Sequence, residues 1–479
     1  MHIEQIYTGC LAQGAYYIES EGEAAVIDPL REVQPYLDRA SKSQAQIKYV
    51  FETHFHADFV SGHLDLSKKT GAPIVYGPNA QTGFEAHIAK DGETFKVGKL
   101  TIQVLHTPGH TMESTCYLLK DESGKAHSIF TGDTLFIGDV GRPDLAQKSD
   151  LTMDDLAGFL YDSLRNKIMT LPDEVIVYPA HGAGSACGKN MSKETTSTIG
   201  IQKQLNYALR ADMTKAEFIK EVTDGLLAPP SYFPLNVKLN KQGYESLETV
   251  MKRAAQALSP AAFEEAVNAT GALVLDVRKA EEFARGFIPN SINIGLDGQF
   301  APWVGALIMD VDQPIALVTP VGQEEETITR LSRVGFDQVV GYLEGGFERW
   351  LQANKETDGI LSISAVELAQ KMKQFGTEAV WDVRRHSEYA AEHIKDVGNY
   401  PLDYINDFIN EMDKEATYFI HCAGGYRSMI MASILKARGF ENVVDVAGGF
   451  KAIQESGLYE LTDYVCQSTI RRQQALSTK

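Results

Sequence analysis

A chain of 479 residues is too long for one hydrophobic core and predicts roughly three domains. Hydrophobic residues make up 44% and charged residues 23%, as in ordinary globular proteins, and the formal net charge of −19 argues against non-specific binding to nucleic acid or an anionic membrane. The N-terminal MHIEQIYTGC lacks a basic segment followed by an apolar one, and the most apolar run, FAPWVGALIM (300–309), is far shorter than the roughly 20 residues that cross a bilayer, so neither a secretory leader nor a membrane span is expected. Five scattered cysteines (Cys10, Cys116, Cys187, Cys422 and Cys466) fit free thiols in a reducing cytoplasm, the expected location.

In chain order, the first domain is expected over 1–245. Short β-like runs (AAVIDPL, IKYVFETH, APIVYGP, LTIQVLHTPGH, SIFTGDTLF and EVIVYPAHG) alternate there with polar, helix-capable stretches, which predicts a layered α/β domain. The Pro-rich segment LAPPSYFPLN (227–236) is expected to close it, because its prolines break helix and interrupt sheet ladders. The helical piece ESLETVMKRAAQAL follows.

The remainder contains an internal repeat. LVLDVRKAEEFARGFIP (273–289) returns as AVWDVRRHSEYAAEHIK (379–395), so that Asp276, Arg278 and Glu282 fall on Asp382, Arg384 and Glu388. Two copies of one α/β unit are therefore expected, at 256–355 and 362–465. Apolar runs such as PIALVT and TYFIHC, each followed by a helical pattern, predict parallel strands with crossover helices.

Four polar clusters in the first domain each follow a β-like run: His54/His56/Asp58, His110 in TPGH, Asp133 in TGD and His181 in PAHG. Strands ending at one sheet edge would bring them together, and imidazole with carboxylate is a ligand set for Zn²⁺ or Fe²⁺. These motifs resemble the metallo-β-lactamase superfamily over this domain, which implies the αββα fold. In the two-zinc hydrolases of that superfamily a histidine follows the motif aspartate, and here Phe59 stands in its place. The remaining set of His54, His110 and Asp133, two histidines and a carboxylate, suits a mononuclear non-haem Fe(II) oxygenase, one iron per chain. It is similar to the persulfide dioxygenases of the superfamily, and the Gly-Arg of GDTLFIGDVGRPDL (132–145) adds to that likeness. On this reading His56, Asp58, His181 and Tyr178 orient ligands or waters, and Arg142 and Lys189 are candidates for the substrate pocket. Lys189 is the next-to-last residue of the Gly-rich GAGSACGKN (182–190), a place to receive an anionic substrate group or an ordinary loop.

In the last unit, YFIHC ends at Cys422, followed by Ala423, Gly424, Gly425, Tyr426, Arg427 and Ser428 and a helical run. A cysteine between strand and helix meets inward-pointing amides and the positive end of the helix, which stabilise a thiolate. Arg427 is expected to add positive charge. The pattern resembles rhodaneses, which are sulfurtransferases. Cysteine phosphatases carry one more residue between Cys and Arg, so the loop here is tighter and better sized for sulfur. The middle copy has Thr319 at the nucleophile position, in TPVGQEEETI, with Glu324, Glu325 and Glu326 replacing positive charge. It resembles an inactive rhodanese, expected to serve as a spacer or docking surface.

Together the units resemble the fusions of a persulfide dioxygenase with rhodanese domains that serve sulfide detoxification. The resemblance implies a small-molecule thiol persulfide, O₂ and sulfite as partners, with thiosulfate formed at Cys422; it leaves a homo-oligomer open. The alternative reading is a dinuclear zinc thioester or lactone hydrolase fused to a sulfur-carrying rhodanese.

Overall fold

The computed structural model describes residues 1–147, 150–189, 191–226 and 228–466; Asn190 and Leu227, which end and begin two of the stretches quoted above, lie outside them. Residues 1–250 and 331–335 form one compact unit, and the rest of the described chain forms a second.

The first unit is a sandwich of two six-stranded sheets. One sheet runs in sequence order through β1 (His2–Thr8), β2 (Gln13–Ser20), β3 (Glu23–Ile27), β4 (Gln46–Phe51), β5 (Ile74–Tyr76) and β6 (His87–Ile88). The other contains β7 (Thr94–Val97), β8 (Leu100–His106), β9 (Thr115–Lys120), β10 (Ala126–Gly132), β11 (Ile176–Pro179) and β12 (Ser197–Thr198), again as sequence neighbours. Alternation along the strands builds the layers. In β2, Tyr16 and Ile18 face the core between the sheets with Phe51, Ile102, Tyr117 and Phe130. Ala15 and Tyr17 face outward onto the helices Gln34–Ser43 and His63–Thr70. The outer face of the second sheet buries Ile129 and Val177 under the helices Met153–Ser163 and Lys215–Thr223. Thr152 starts the former with a capping box to Asp155, and Leu156, Ala157 and Leu160 supply its buried stripe. The layers are αββα.

The Pro-rich segment does more than end the domain. Pro234 lies in the first turn of a helix, Phe233–Gln242, where a missing N–H costs nothing. Asn240 on that helix reaches the loop after β4, as described below.

The second unit holds two five-stranded parallel sheets of one topology. The first has β13 (Ala257–Leu258), β14 (Leu273–Asp276), β15 (Ile292–Asn293), β16 (Ile315–Val318) and β17 (Val339–Leu343), ordered β13-β17-β16-β14-β15. The other has β18 (Leu361–Ile363), β19 (Val380–Asp382), β20 (Gly398–Asn399), β21 (Tyr418–His421) and β22 (Val443–Val446), ordered β18-β22-β21-β19-β20. The repeated Asp-Val-Arg closes the same buried fork in each copy: Arg278 Nη2 lies 2.6 Å from Asp276 Oδ2, and Arg384 Nη2 lies 2.6 Å from Asp382 Oδ2. Each guanidinium also covers an aromatic ring, Phe347 at 4.1 Å and Phe450 at 3.7 Å. No helix among the described residues is long and apolar enough to cross a membrane.

Candidate metal centre and cysteine loop

In the first unit β8 and β10 both run antiparallel to β9, and β11 is parallel to β10, so β8, β10 and β11 end at one edge. Asp133 directly follows β10, His181 lies two residues beyond β11, and His110 sits on the loop after β8. The loop after β4 brings His54. His54, His110 and Asp133 are each at most 2% exposed, and their ligand atoms all lie within 4.8 Å of one another.

Both imidazoles are pre-aimed. His110 Nδ1 donates to the backbone carbonyl of Arg142 at 2.9 Å, leaving Nε2 facing Asp133 Oδ2 at 3.5 Å. His54 Nδ1 lies 3.0 Å from Thr53 Oγ1, which itself donates to Asp28 Oδ2 at 2.8 Å, so the hydroxyl accepts from His54. His54 Nε2 then faces the same Asp133 oxygen at 3.8 Å. A proton fixed on Nδ1 leaves the Nε2 lone pair for a metal. Asp133 Oδ2 is buried and has no hydrogen-bond partner among the described residues. Ligand atoms each about 2.1 Å from one cation stand roughly 3 to 3.5 Å apart, so a metal ion fits this set. Burial would raise the Asp133 carboxyl, but the charge of His181 and its hydrogen bond hold it well below the usual carboxylate range. Burial, reinforced by His56, keeps His54 neutral, the form that binds metal. Gly141 is required here, because a Cβ would fall 1.9 Å from the Asp133 carbonyl oxygen.

Asp58 and His181 form a second group beside the first. His181 Nδ1 lies 2.7 Å from Asp133 Oδ1, and its Nε2 lies 2.7 Å from Asp58 Oδ2. Burial lowers the His181 pKa, but Asp133 and Asp58 outweigh it and hold the ring protonated. Cys187, six residues after His181 and assigned no role by the sequence, completes the group. Burial, with the charges of Asp58 and Asp133, pushes its thiol well above the usual range. Phe59 is fully buried, its ring 4.4 Å from that of His56 and 6.5 Å from that of His181. The loop around it is locked by Asn240, which donates to the carbonyls of His56 (2.8 Å) and Phe59 (2.7 Å) and accepts from the Ser61 N–H (2.9 Å).

Other expected site residues lie elsewhere. His56 turns toward Asp28 (3.1 Å) and Glu52 (3.5 Å), a separate buried cluster. Tyr178 is not aimed at the ligands but packs on Phe130 and Tyr16, with ring centroids 5.3 Å away in both cases, because alternation in β11 turns it to the inter-sheet core. The Arg142 side chain, expected in the substrate pocket, is instead forked onto Asp144, with Nε–Oδ1 and Nη2–Oδ2 both 2.7 Å; its backbone carbonyl is what serves the site. Lys189 Nζ is likewise drawn off to the carbonyls of Glu221 and Asp224.

In the second unit Cys422 follows β21 and is 1% exposed. The Gly425 N–H donates to its Sγ at 3.1 Å, at the start of the helix Tyr426–Ala437. Ala423 and Gly424 are exposed and open the loop to solvent. Arg427, expected to lend charge to the loop, is engaged by Glu388: Nη1–Oε2 is 2.6 Å and Nη2–Oε1 is 2.8 Å. Its charge is largely matched, so its contribution is to hold the loop in shape. Ser428 Oγ lies 2.8 Å from Asp445 Oδ1. Thr319 occupies the equivalent place after β16, buried and with its hydroxyl unpartnered among the described residues.

Comparison with known proteins agrees with both halves. The metallo-beta-lactamase superfamily profile matches residues 8–181, and the rhodanese-like domain matches 259–353 and 364–456. A probable hydroxyacylglutathione hydrolase of Schizosaccharomyces pombe is 32% identical over 215 residues, 40% of this chain and 79% of its own. The human protein named persulfide dioxygenase ETHE1, mitochondrial, is 30% identical over 220 residues, 46% of this chain and 78% of its own. A solved metallo-beta-lactamase from Staphylococcus aureus is 31% identical and superimposes with a TM-score of 0.63, covering 72% of this chain and 99% of that chain. The chain belongs to the metallo-β-lactamase superfamily. It carries two rhodanese-like domains after the metallo-β-lactamase domain, the first without a cysteine at the nucleophile position.

Proposed function

We propose that the chain oxidises the persulfide of a low-molecular-weight thiol to sulfite at the first site and forms thiosulfate at Cys422. The observation that carries this reading is the convergence of His54 Nε2 and His110 Nε2 on the unpartnered Asp133 Oδ2, with Phe59 in place of a further ligand. His54, His110 and Asp133 would hold iron(II), which would supply the redox chemistry that brings O₂ and a persulfide to reaction. His54 and His110 present fixed lone pairs, Asp133 balances the cation's charge, and the Asp58–His181 contact holds Asp133 in register through Oδ1. The buried rings of Phe59 and Phe136 exclude water beside His181. The overall change balances as one persulfide, one O₂ and one water giving one thiol, one sulfite and two protons.

At Cys422 the thiolate attacks the outer sulfur of a second persulfide. The donor S–S bond breaks, the thiolate of the small thiol leaves with the electron pair, and a persulfide remains on Cys422. Sulfite then attacks the outer sulfur through its own sulfur lone pair, releasing thiosulfate and restoring the thiolate. The Gly425 N–H on Sγ steadies the anion at both ends of this cycle. Cys422→Ser should stop thiosulfate formation while sulfite accumulates; unchanged thiosulfate output would remove Cys422 from the reaction.

A dinuclear hydrolase is the second reading, and two observations favour it. Asp58, His181 and Cys187 form a second potential ligand set, and the Schizosaccharomyces pombe relative is named a hydroxyacylglutathione hydrolase. Against it, both His181 nitrogens already face carboxylates, so a second metal would have to displace at least one of those contacts.

A further inference from the structure

The cysteine-free copy contributes to a cavity at Tyr426 and Arg427, the far end of the loop that begins at Cys422. A cavity of about 470 Å³ opens beside the cysteine loop, lined by Asp297, Gln299 and Trp303 of that copy and by Arg385, Tyr426 and Arg427 of the other. The two copies are locked together at this place. Tyr426 donates its hydroxyl to the Gly295 carbonyl at 2.8 Å, and the Asn293 N–H donates to Ser433 Oγ at 2.9 Å on the helix that follows Cys422. Gly298 lies so close to Tyr426 that a Cβ there would fall 2.3 Å from the ring. A segment that only spaced the active units would need none of these fits.

The charges in the cavity are not equivalent. Arg427 is matched by Glu388 through two short contacts. Arg385 is held only loosely, 3.5 Å from Asp403, and its side chain is 52% exposed. Asp297 is exposed and has no ion-pair partner among the described residues. The cavity therefore presents one available carboxylate and one available guanidinium, each from a different copy, beside the apolar wall of Trp303.

Resting on the sulfur-transfer reading of Cys422 given above, we propose that this cavity selects the sulfur donor as the persulfide of an amino-acid-derived thiol, with Asp297 receiving its ammonium and Arg385 its carboxylate. A small zwitterion satisfies both groups, whereas a polyphosphate-bearing thiol such as coenzyme A sets its anionic groups against Asp297. Asp297 and Arg385 are specificity residues in this account, and the silent copy is half of the donor site.

The test uses the full chain, without O₂ and with sulfite supplied, so that thiosulfate reports sulfur transfer alone. Persulfides of cysteine, N-acetylcysteine (no ammonium), cysteamine (no carboxylate) and coenzyme A are compared by kcat/KM. Unaltered protein should prefer the cysteine persulfide and use the coenzyme A persulfide worst. Asp297→Asn should lower kcat/KM for the cysteine and cysteamine persulfides about tenfold more than for the N-acetylcysteine persulfide. Arg385→Gln should penalise the cysteine and N-acetylcysteine persulfides relative to the cysteamine persulfide. Losses equal across all donors, or no losses, would overturn the assignment while leaving sulfur transfer at Cys422 intact. Thiosulfate formation that persists in Cys422→Ser would overturn the sulfur-transfer reading and this proposal with it.

Discussion

The Nδ1 proton of His110 is held by the backbone carbonyl of Arg142, 2.9 Å away, and Arg142 is anchored in turn by its side-chain fork onto Asp144 and by its N–H to the Cys187 carbonyl at 3.1 Å. The arginine side chain thus acts on the metal centre through its own main chain. Asp144→Ala should release the fork, loosen the carbonyl and let the imidazole turn. Groups that orient metal ligands typically contribute about 10- to 100-fold in affinity, and a loss in that range is expected by competition with a chromophoric chelator. Unchanged affinity would mean that the loop holds its carbonyl without the fork.

On the one-iron reading proposed above, Phe59 occupies the position of a ligand that a second metal would need. Its buried ring stands beside Asp58 and His181, where an imidazole would complete a conventional ligand set. Phe59→His should therefore raise zinc uptake from about one to about two equivalents per chain, read by metal analysis after dialysis. If the unaltered chain already takes up two, Cys187 is serving as the missing ligand.

The order of the metal motifs was legible because each follows an apolar run, and strands that run the same way in one sheet end at one edge. The tandem copies were legible because Asp276/Arg278 and Asp382/Arg384 repeat, each pair closing a buried bidentate fork. Side-chain direction was not legible. Lys189 and Arg142 read as candidates for the substrate pocket, yet their charges are drawn off by the Glu221 carbonyl and Asp144, partners fixed by tertiary folding. Tyr178 lies three residues before His181, but strand alternation turns it to the core. Asn240 reaches the His56–Ser61 loop from a helix that the Pro-rich composition disguised. Cys187 carried the weakest signal, being a single cysteine in a glycine-rich loop.

Asp445 gives the second unit a pH dependence of defined sign. Burial raises its carboxyl from the ordinary 3.8 to about 6, despite hydrogen bonds from Ser428 and Ser362. Between those values the folded chain holds a proton that the unfolded chain has released, so stability falls as pH rises from about 4 through about 6. The loss is on the order of 3 kcal/mol. All three tryptophans (Trp303, Trp350 and Trp381) belong to the second unit, so intrinsic fluorescence follows its unfolding selectively. Asp445→Asn cannot ionise and should flatten the midpoint-versus-pH curve over this window. A variant curve parallel to that of the unaltered chain would place the dependence elsewhere.

In the function proposed above, His54, His110 and Asp133 hold one iron(II) that serves persulfide oxidation. It is tested most directly by metal analysis of anaerobically purified protein, followed by O₂ uptake on addition of cysteine persulfide. About one iron per chain, O₂ uptake with sulfite as product, and loss of both iron and O₂ uptake in His54→Ala are expected. Two zinc ions per chain, with no O₂ uptake and with hydrolysis of a glutathione thioester, would contradict it.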